Sequence, residues 1–155
     1  MGTLEFRQAE KIRDTFAQHG VRCLFTGRSG AVLLGFPDGA QGAELIIERT
    51  PENGAALVAA LRGLGFSLST LEAVEILRST NPVCLNGGPF ELKVAVAPEG
   101  IDGFGDAWSR HVDIGGFPVC HLDDIIANMA AGDGASGRES LPRLRAFRES
   151  WIRKP

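Results

Sequence analysis

The chain has little cysteine, no long apolar run, no internal repeat and no surplus of positive charge, and each shortage closes off a class of protein. Its three cysteines (Cys23, Cys84, Cys120) are odd in number and scattered through strand-like apolar segments. Disulfide-held scaffolds carry even, closely spaced sets, so these three are expected to be reduced, buried small hydrophobes of a cytoplasmic protein. No apolar stretch approaches the ~20 residues of a membrane-spanning helix. The opening MGTLEFRQAEKIRDTF is charged and amphipathic and lacks the apolar block of a signal peptide. No membrane partner is therefore expected. A net charge of −3 does not mark the whole protein as a binder of nucleic acid or anionic lipid. His19, His111 and His121 lack metal-ligand spacing. His121 reads as a residue of a helix N-cap region, and its neighbour Cys120 points the other way on a regular strand, which excludes a thiol–imidazole dyad.

What is present is an ordinary globular composition, 44% hydrophobic and 23% charged over 155 residues, most economically one domain. A first helix runs from Leu4 to His19, with Leu4, Ile12 and Phe16 on one side and Gly20 as its stop. A short strand to Thr26 and a compact helix over Ser29–Leu34 follow. Ala43–Glu48 reads as the next strand. Thr50-Pro51-Glu52-Asn53 supplies an N-cap hydroxyl, a proline at N1 and an acid in the first turn of a helix that ends at Gly65. Ser69 and Glu72 have capping-box spacing for a helix over Leu71–Leu77. Strands are expected at Val83–Leu85 and Glu91–Val96 around the turn Asn86-Gly87-Gly88-Pro89, and a helical turn at Phe104–Arg110. Val112–Ile114 and Phe117–Cys120 flank Gly115-Gly116 as a hairpin. A helix over Leu122–Ala131 and a mobile loop at Gly132–Gly137 precede the last helix. The order of elements gives an α+β domain with a mixed central sheet flanked by helices.

Charge is uneven. From Arg138 to Pro155, six Lys/Arg stand against two Asp/Glu, a local +4 on a body of −7. A basic amphipathic C-terminal helix at about 138–152, with Leu141, Leu144, Phe147 and Trp151 on its apolar side, fits a solvated face or an intramolecular clasp better than an RNA contact, which stays as the alternative.

Several passages, in order, resemble the small bacterial nucleotidyltransferases of the DNA polymerase beta superfamily. Cys23 to Gly35, with the turn Gly27-Arg28-Ser29-Gly30, is similar to the family's strand, glycine turn and short helix. Pro51-Glu52-Asn53, Leu64-Gly65-Phe66 and Leu122-Asp123-Asp124-Ile125-Ile126-Ala127-Asn128 fall where that family has comparable segments. The resemblance implies the nucleotidyltransferase fold over the whole chain and a nucleotide phosphate site at Gly27, Arg28, Ser29, Gly30 and Lys93. It also implies two or three converging carboxylates that hold divalent metal, spaced i and i+2 because alternate strand residues share a face.

The acids are where this chain departs from the family. Gly42 stands at the first acid position, Glu44 remains at the second as the catalytic remnant, and the third falls on Lys93, or on Glu91 after a two-residue shift. Arg28 replaces a turn glycine and is expected either to strengthen an anion site or to plug it by pairing with Glu44. A Glu44–Lys93 ion pair across strands is expected too. The leading expectation is a nucleotidyltransferase-like protein, catalytically impaired, that binds a nucleotide or a protein partner, with no certain cofactor and no metal ligand. One alternative is an active enzyme using Mg²⁺ held by Glu44 with Glu91 or Asp38. The other is an antitoxin-like interaction protein or homodimer that never meets a nucleotide.

Overall fold

The computed structural model describes residues 5–40, 42–78, 82–85, 88, 90–96, 100–132 and 135–152, with backbone alone for 135–138. Leu4, the turn residues Asn86, Gly87 and Pro89, the Arg138 side chain, Arg153 and Lys154 lie outside the described residues.

The chain runs α1 (Phe6–His19), β1 (Cys23–Thr26), α2 (Gly27–Leu33), β2 (Gly42–Ile47), α3 (Pro51–Gly63), α4 (Thr70–Arg78) and β3 (Val83–Leu85). It continues through β4 (Glu91–Ala95), α5 (Phe104–Arg110), β5 (Val112–Ile114), β6 (Phe117–Val119), α6 (Leu122–Ala131) and α7 (Ala135–Ile152). The protein is α+β, with one six-stranded mixed sheet flanked by helices, in the order β3-β4-β2-β1-β6-β5. β1 pairs antiparallel with β2 and parallel with β6, and β2 pairs parallel with β4. No described helix is long and apolar enough to cross a membrane.

Local chemistry sets many of the boundaries. Gly20 ends α1 in the left-handed region at φ 68°, where a side chain is unfavourable. Thr50 caps α3 by accepting the Asn53 N–H at 3.0 Å. Ser69 and Glu72 exchange hydrogen bonds of 3.1 Å at the start of α4. His121 Nδ1 accepts the Asp123 N–H at 3.0 Å and so caps α6. Gly115 and Gly116, at φ 55° and 84°, make the β5–β6 turn with both residues in the positive-φ region that such a hairpin needs.

β1 is buried at all four positions, because it lies centrally with both faces covered. Leu24, Phe25, Leu45, Ile46, Leu57 and Leu92 fill the core around it. Asn53, 6% exposed, staples the ends of β1 and β2 together. Its Oδ1 accepts the Arg22 N–H at 2.7 Å, while its Nδ2 donates to the Arg22 carbonyl at 3.0 Å and the Glu48 carbonyl at 2.7 Å.

Three sequence expectations need correction. α2 starts at Gly27, two residues early, because the strand passes directly into the helix. α7 starts at Ala135, so the segment expected as a loop to Gly137 is helical in its second half. Cys84 is exposed, unlike buried Cys23 and Cys120. It is the outward residue of a three-residue edge strand whose neighbours Val83 and Leu85 face the core.

The last helix is held to the body by the basic residues that set it apart in the sequence. Arg143 pairs with Asp38 at 3.1 Å, and Arg148 pairs with Asp123 of α6. Phe147 packs edge-on against Phe36 at 5.5 Å. Two of the basic side chains are therefore spent on an intramolecular clasp.

Candidate functional site

Strand register builds the site. Thr26, Glu44, Lys93 and Cys84 lie in one row across β1, β2, β4 and β3, each directly opposite the next. Directly opposed residues share a face of the sheet, so a hydroxyl, a carboxylate, an ammonium and a thiol line up on one side. Thr26 is buried, Glu44 half-buried, and Lys93 and Cys84 exposed, so the row climbs from the core to the open edge.

The turn into α2 approaches this row from above. Gly27 has φ 60°, and its missing side chain makes room for Glu44. A Cβ at Gly27 would lie 2.1 Å from Glu44 Oε2 and 2.4 Å from Cδ, so the carboxylate rests on the glycine itself. Ser29, buried in the next position but one, spends its hydroxyl twice. It donates to the Thr26 carbonyl at 2.9 Å and accepts the Glu44 N–H at 3.0 Å, tying the turn to β2. Gly30 sits 3.0 Å, measured from an added Cβ, from the Phe25 carbonyl, and acts as a close-packing residue. Of the five residues expected to bind a nucleotide, Arg28 and Lys93 therefore bring charge to Glu44, Gly27 brings space, and Ser29 and Gly30 hold the backbone.

Arg28 hydrogen-bonds to Ser140 of α7, and its charge also acts on Glu44. Lys93 acts on Glu44 from across the strand pair, but among the described ion pairs within 4 Å the two do not meet. Asp38 belongs to a different arrangement. The Gly39 N–H, donated at 2.9 Å, holds its carboxyl below the usual range, helped by the charges of Arg143 and Arg28. Glu91 lies opposite Gly42 on the neighbouring strand. Among the described residues, no group of three or more His, Cys, Asp or Glu is arranged to hold a metal ion.

Burial raises the Glu44 carboxyl above its ordinary pKa, and the charges of Lys93 and Arg28 only partly offset that shift. The proton-linked stability of such a group is fully present below the ordinary carboxylate pKa. It is lost as pH rises through the raised folded value. At neutral pH the ionised Glu44 therefore costs stability, and Glu44→Gln should raise the melting temperature. Thermal melts of both proteins across pH 4 to 8 should show a gap that is widest at neutral pH and closes towards pH 4. A gap of the opposite sign at pH 7 would mean that the cations more than compensate for burial.

Two features escaped the sequence reading. Thr26 is 4% exposed, and its buried hydroxyl sits beside the Cys120 thiol and acts on it. Burial pushes that thiol up to about 12. Gly42 has a packing role: a Cβ there would lie 2.5 Å from the Glu91 carbonyl oxygen. The available signal was the glycine inside a strand, which marks a close backbone approach. Thr26 gave none, since its burial depends on the whole fold. No family model, curated protein or solved structure matches the chain.

Proposed function

We propose that this chain is a nucleotidyltransferase-like protein of the nucleotidyltransferase fold that has lost transfer and works by binding, with the phosphates of a nucleotide as its first ligand. The observation that carries this reading is Lys93 directly opposite Glu44. A two-metal transfer site needs further carboxylates around the remaining acid, because hard cations take several oxygen ligands. Here an ammonium and a guanidinium act on Glu44 instead. The same two cations suit an anionic ligand. The strand–turn–helix that carries Gly27 and Arg28, packed against β2, supports the reading because it sets the turn beside the acid-bearing strand.

The active alternative, with Mg²⁺ on Glu44 and Asp38 or Glu91, has less support. Asp38 is engaged by Arg143 and Gly39.

Calorimetric titration with ATP, GTP, CTP and UTP, with and without Mg²⁺, tests the proposal alongside an assay for transfer of labelled nucleotide. Binding without transfer is expected. Lys93→Glu should weaken binding about tenfold or more, the worth of one charge-assisted hydrogen bond. Transfer that disappears in Glu44→Ala would overturn the impaired reading and favour the active one.

A further inference from the structure

Helix α6 is capped by a titratable side chain. The Asp123 N–H can only donate, so the 3.0 Å bond it makes to His121 Nδ1 requires a lone pair on that nitrogen. His121 is therefore neutral in this arrangement, with its proton on Nε2. The side chain is 29% exposed, within reach of solvent protons. Serine, threonine, asparagine and aspartate cap helices with an oxygen that stays an acceptor at neutral pH. Imidazole differs, because the lone pair that accepts the N–H is the one that takes up the next proton. Capping and protonation exclude each other.

The ring sits where α6 and α7 meet. Asp123 Oδ2 lies 3.8 Å from His121 Nδ1 and accepts a bond of 3.4 Å from Arg148 Nη2, while Oδ1 accepts Arg148 Nε. The Arg148 bond holds the Asp123 carboxyl below its usual range, so it stays ionised while a histidine titrates. Trp151, a turn further along α7, meets the His121 ring edge-on at 5.1 Å. Glu149 acts on Arg148 from the same helix, and Asp124, next to Asp123, is taken by Arg110 of α5.

We infer that His121 is a proton-operated latch between α6 and the end of α7. Neutral, it caps α6 and leaves Asp123 to Arg148; protonated, it drops the cap and draws Asp123 Oδ2 away from Arg148. The added proton sits on Nδ1 and would face the Asp123 N–H donor to donor, so the ring turns to the nearest acceptor, the Asp123 carboxylate. An imidazolium and a guanidinium then share one carboxylate, and the two cations repel. The positive end of the α6 dipole adds to that repulsion. Leu144, 1% exposed, keeps the middle of α7 seated, so the release is confined to the turn from Phe147 to Trp151. The latch is independent of the nucleotide-binding reading.

The test is a titration of the ¹⁵N-labelled full chain from pH 8 to pH 5, following the His121 ring, the backbone amides and the Trp151 indole N–H. The Asp123 amide and the Trp151 indole should move with the His121 ring, at one midpoint. His121→Asn keeps a capping acceptor and has no proton to gain, so both movements should vanish. Hydrogen exchange is then compared between parent and variant at the same pH, which cancels the chemical dependence of exchange on pH. At pH 5 the amides from Phe147 to Trp151 should exchange about fivefold faster in the parent, the worth of one hydrogen bond. At pH 8 the two proteins should agree. His121→Ser, another cap that does not titrate, should match the asparagine. An Asp123 amide that stays fixed while the ring titrates overturns the inference, as does a pH response that persists in both variants. Equal exchange at pH 5 in parent and variants overturns it too, since the cap would then be uncoupled from α7.

Discussion

Asn53→Ala should lower the melting temperature by roughly 6–12 °C, the equivalent of about 3 kcal/mol in a domain of this size. The side chain makes three hydrogen bonds of 2.7–3.0 Å, one to the Arg22 N–H and two to the carbonyls of Arg22 and Glu48. All three partners are backbone groups at the ends of β1 and β2, where the ladder between the strands stops. Alanine strands the Arg22 N–H, while the carbonyls of Arg22 and Glu48 each keep one backbone donor, from Glu48 at 3.3 Å and Thr50 at 3.2 Å. A backbone group stranded in this way costs more than the bond was worth. Asn53→Asp should be no better, because it sets a carboxylate against two carbonyl oxygens. The neighbouring exposed Glu52 serves as the control, with Glu52→Ala expected to stay within about 0.5 kcal/mol of the parent. Thermal melts of the set decide the matter. If Asn53→Ala melts within 2 °C of the parent, water reaches the freed groups and the staple is not structural.

Gly42→Asp, which would put an acid where the resemblance expects the first one, should destabilise the protein and create no metal site. A Cβ at residue 42 meets the Glu91 carbonyl oxygen at 2.5 Å and the Glu91 Cβ at 2.8 Å. The obstacle is the backbone of the neighbouring parallel strand, which no rotamer change can move aside. Forcing atoms into such a contact typically costs about 1–3 kcal/mol, and more where the backbone must shift. Gly42→Ala separates the causes, since it keeps the clash and omits the charge. Most of the loss should appear in the alanine variant, with a further part in Gly42→Asp from repulsion by Glu44 and Glu91. Mn²⁺ titration of Gly42→Asp should show no new binding, because Lys93 and Arg28 still face the acid. A variant that melts like the parent and binds Mn²⁺ would show that β2 and β4 can part, and would restore the case for catalysis.

The sequence was legible wherever a signal is local. Gly20, Thr50, the Ser69–Glu72 pair and Gly115-Gly116 each act within four residues, and each terminates or turns the chain where expected. Apolar periodicities, caps and turns together placed the elements, although α2 begins at Gly27 and α7 at Ala135, earlier than expected. Relationships set by packing were not legible. Arg143 and Asp38 are 105 residues apart, and Arg28 and Ser140 are 112 apart. Nothing in either neighbourhood announces its partner. The resemblance placed Glu44 and Lys93 on neighbouring strands and they do stand opposite, but without the ion pair expected, and the way Glu44 folds back onto Gly27 was not anticipated, since a side-chain direction is chosen by the surroundings. Ser29 shows the same limit. A serine after a glycine turn reads as a phosphate ligand, yet its hydroxyl is consumed by Thr26 and Glu44. Cys84 was expected inside because its segment is apolar, but on an edge strand every second residue faces out.

That exposed thiol has a practical consequence. Cys23 and Cys120 are buried, and burial pushes both up to about 12, so in the folded protein neither offers a thiolate to an alkylating reagent. Cys84 is open to solvent and stands directly opposite Lys93, two strands from Glu44 with β4 between them. The unaltered chain thus carries its own attachment point for a fluorophore. A dye placed there would register events at Glu44 by a change in colour or brightness, with no residue engineered to host it.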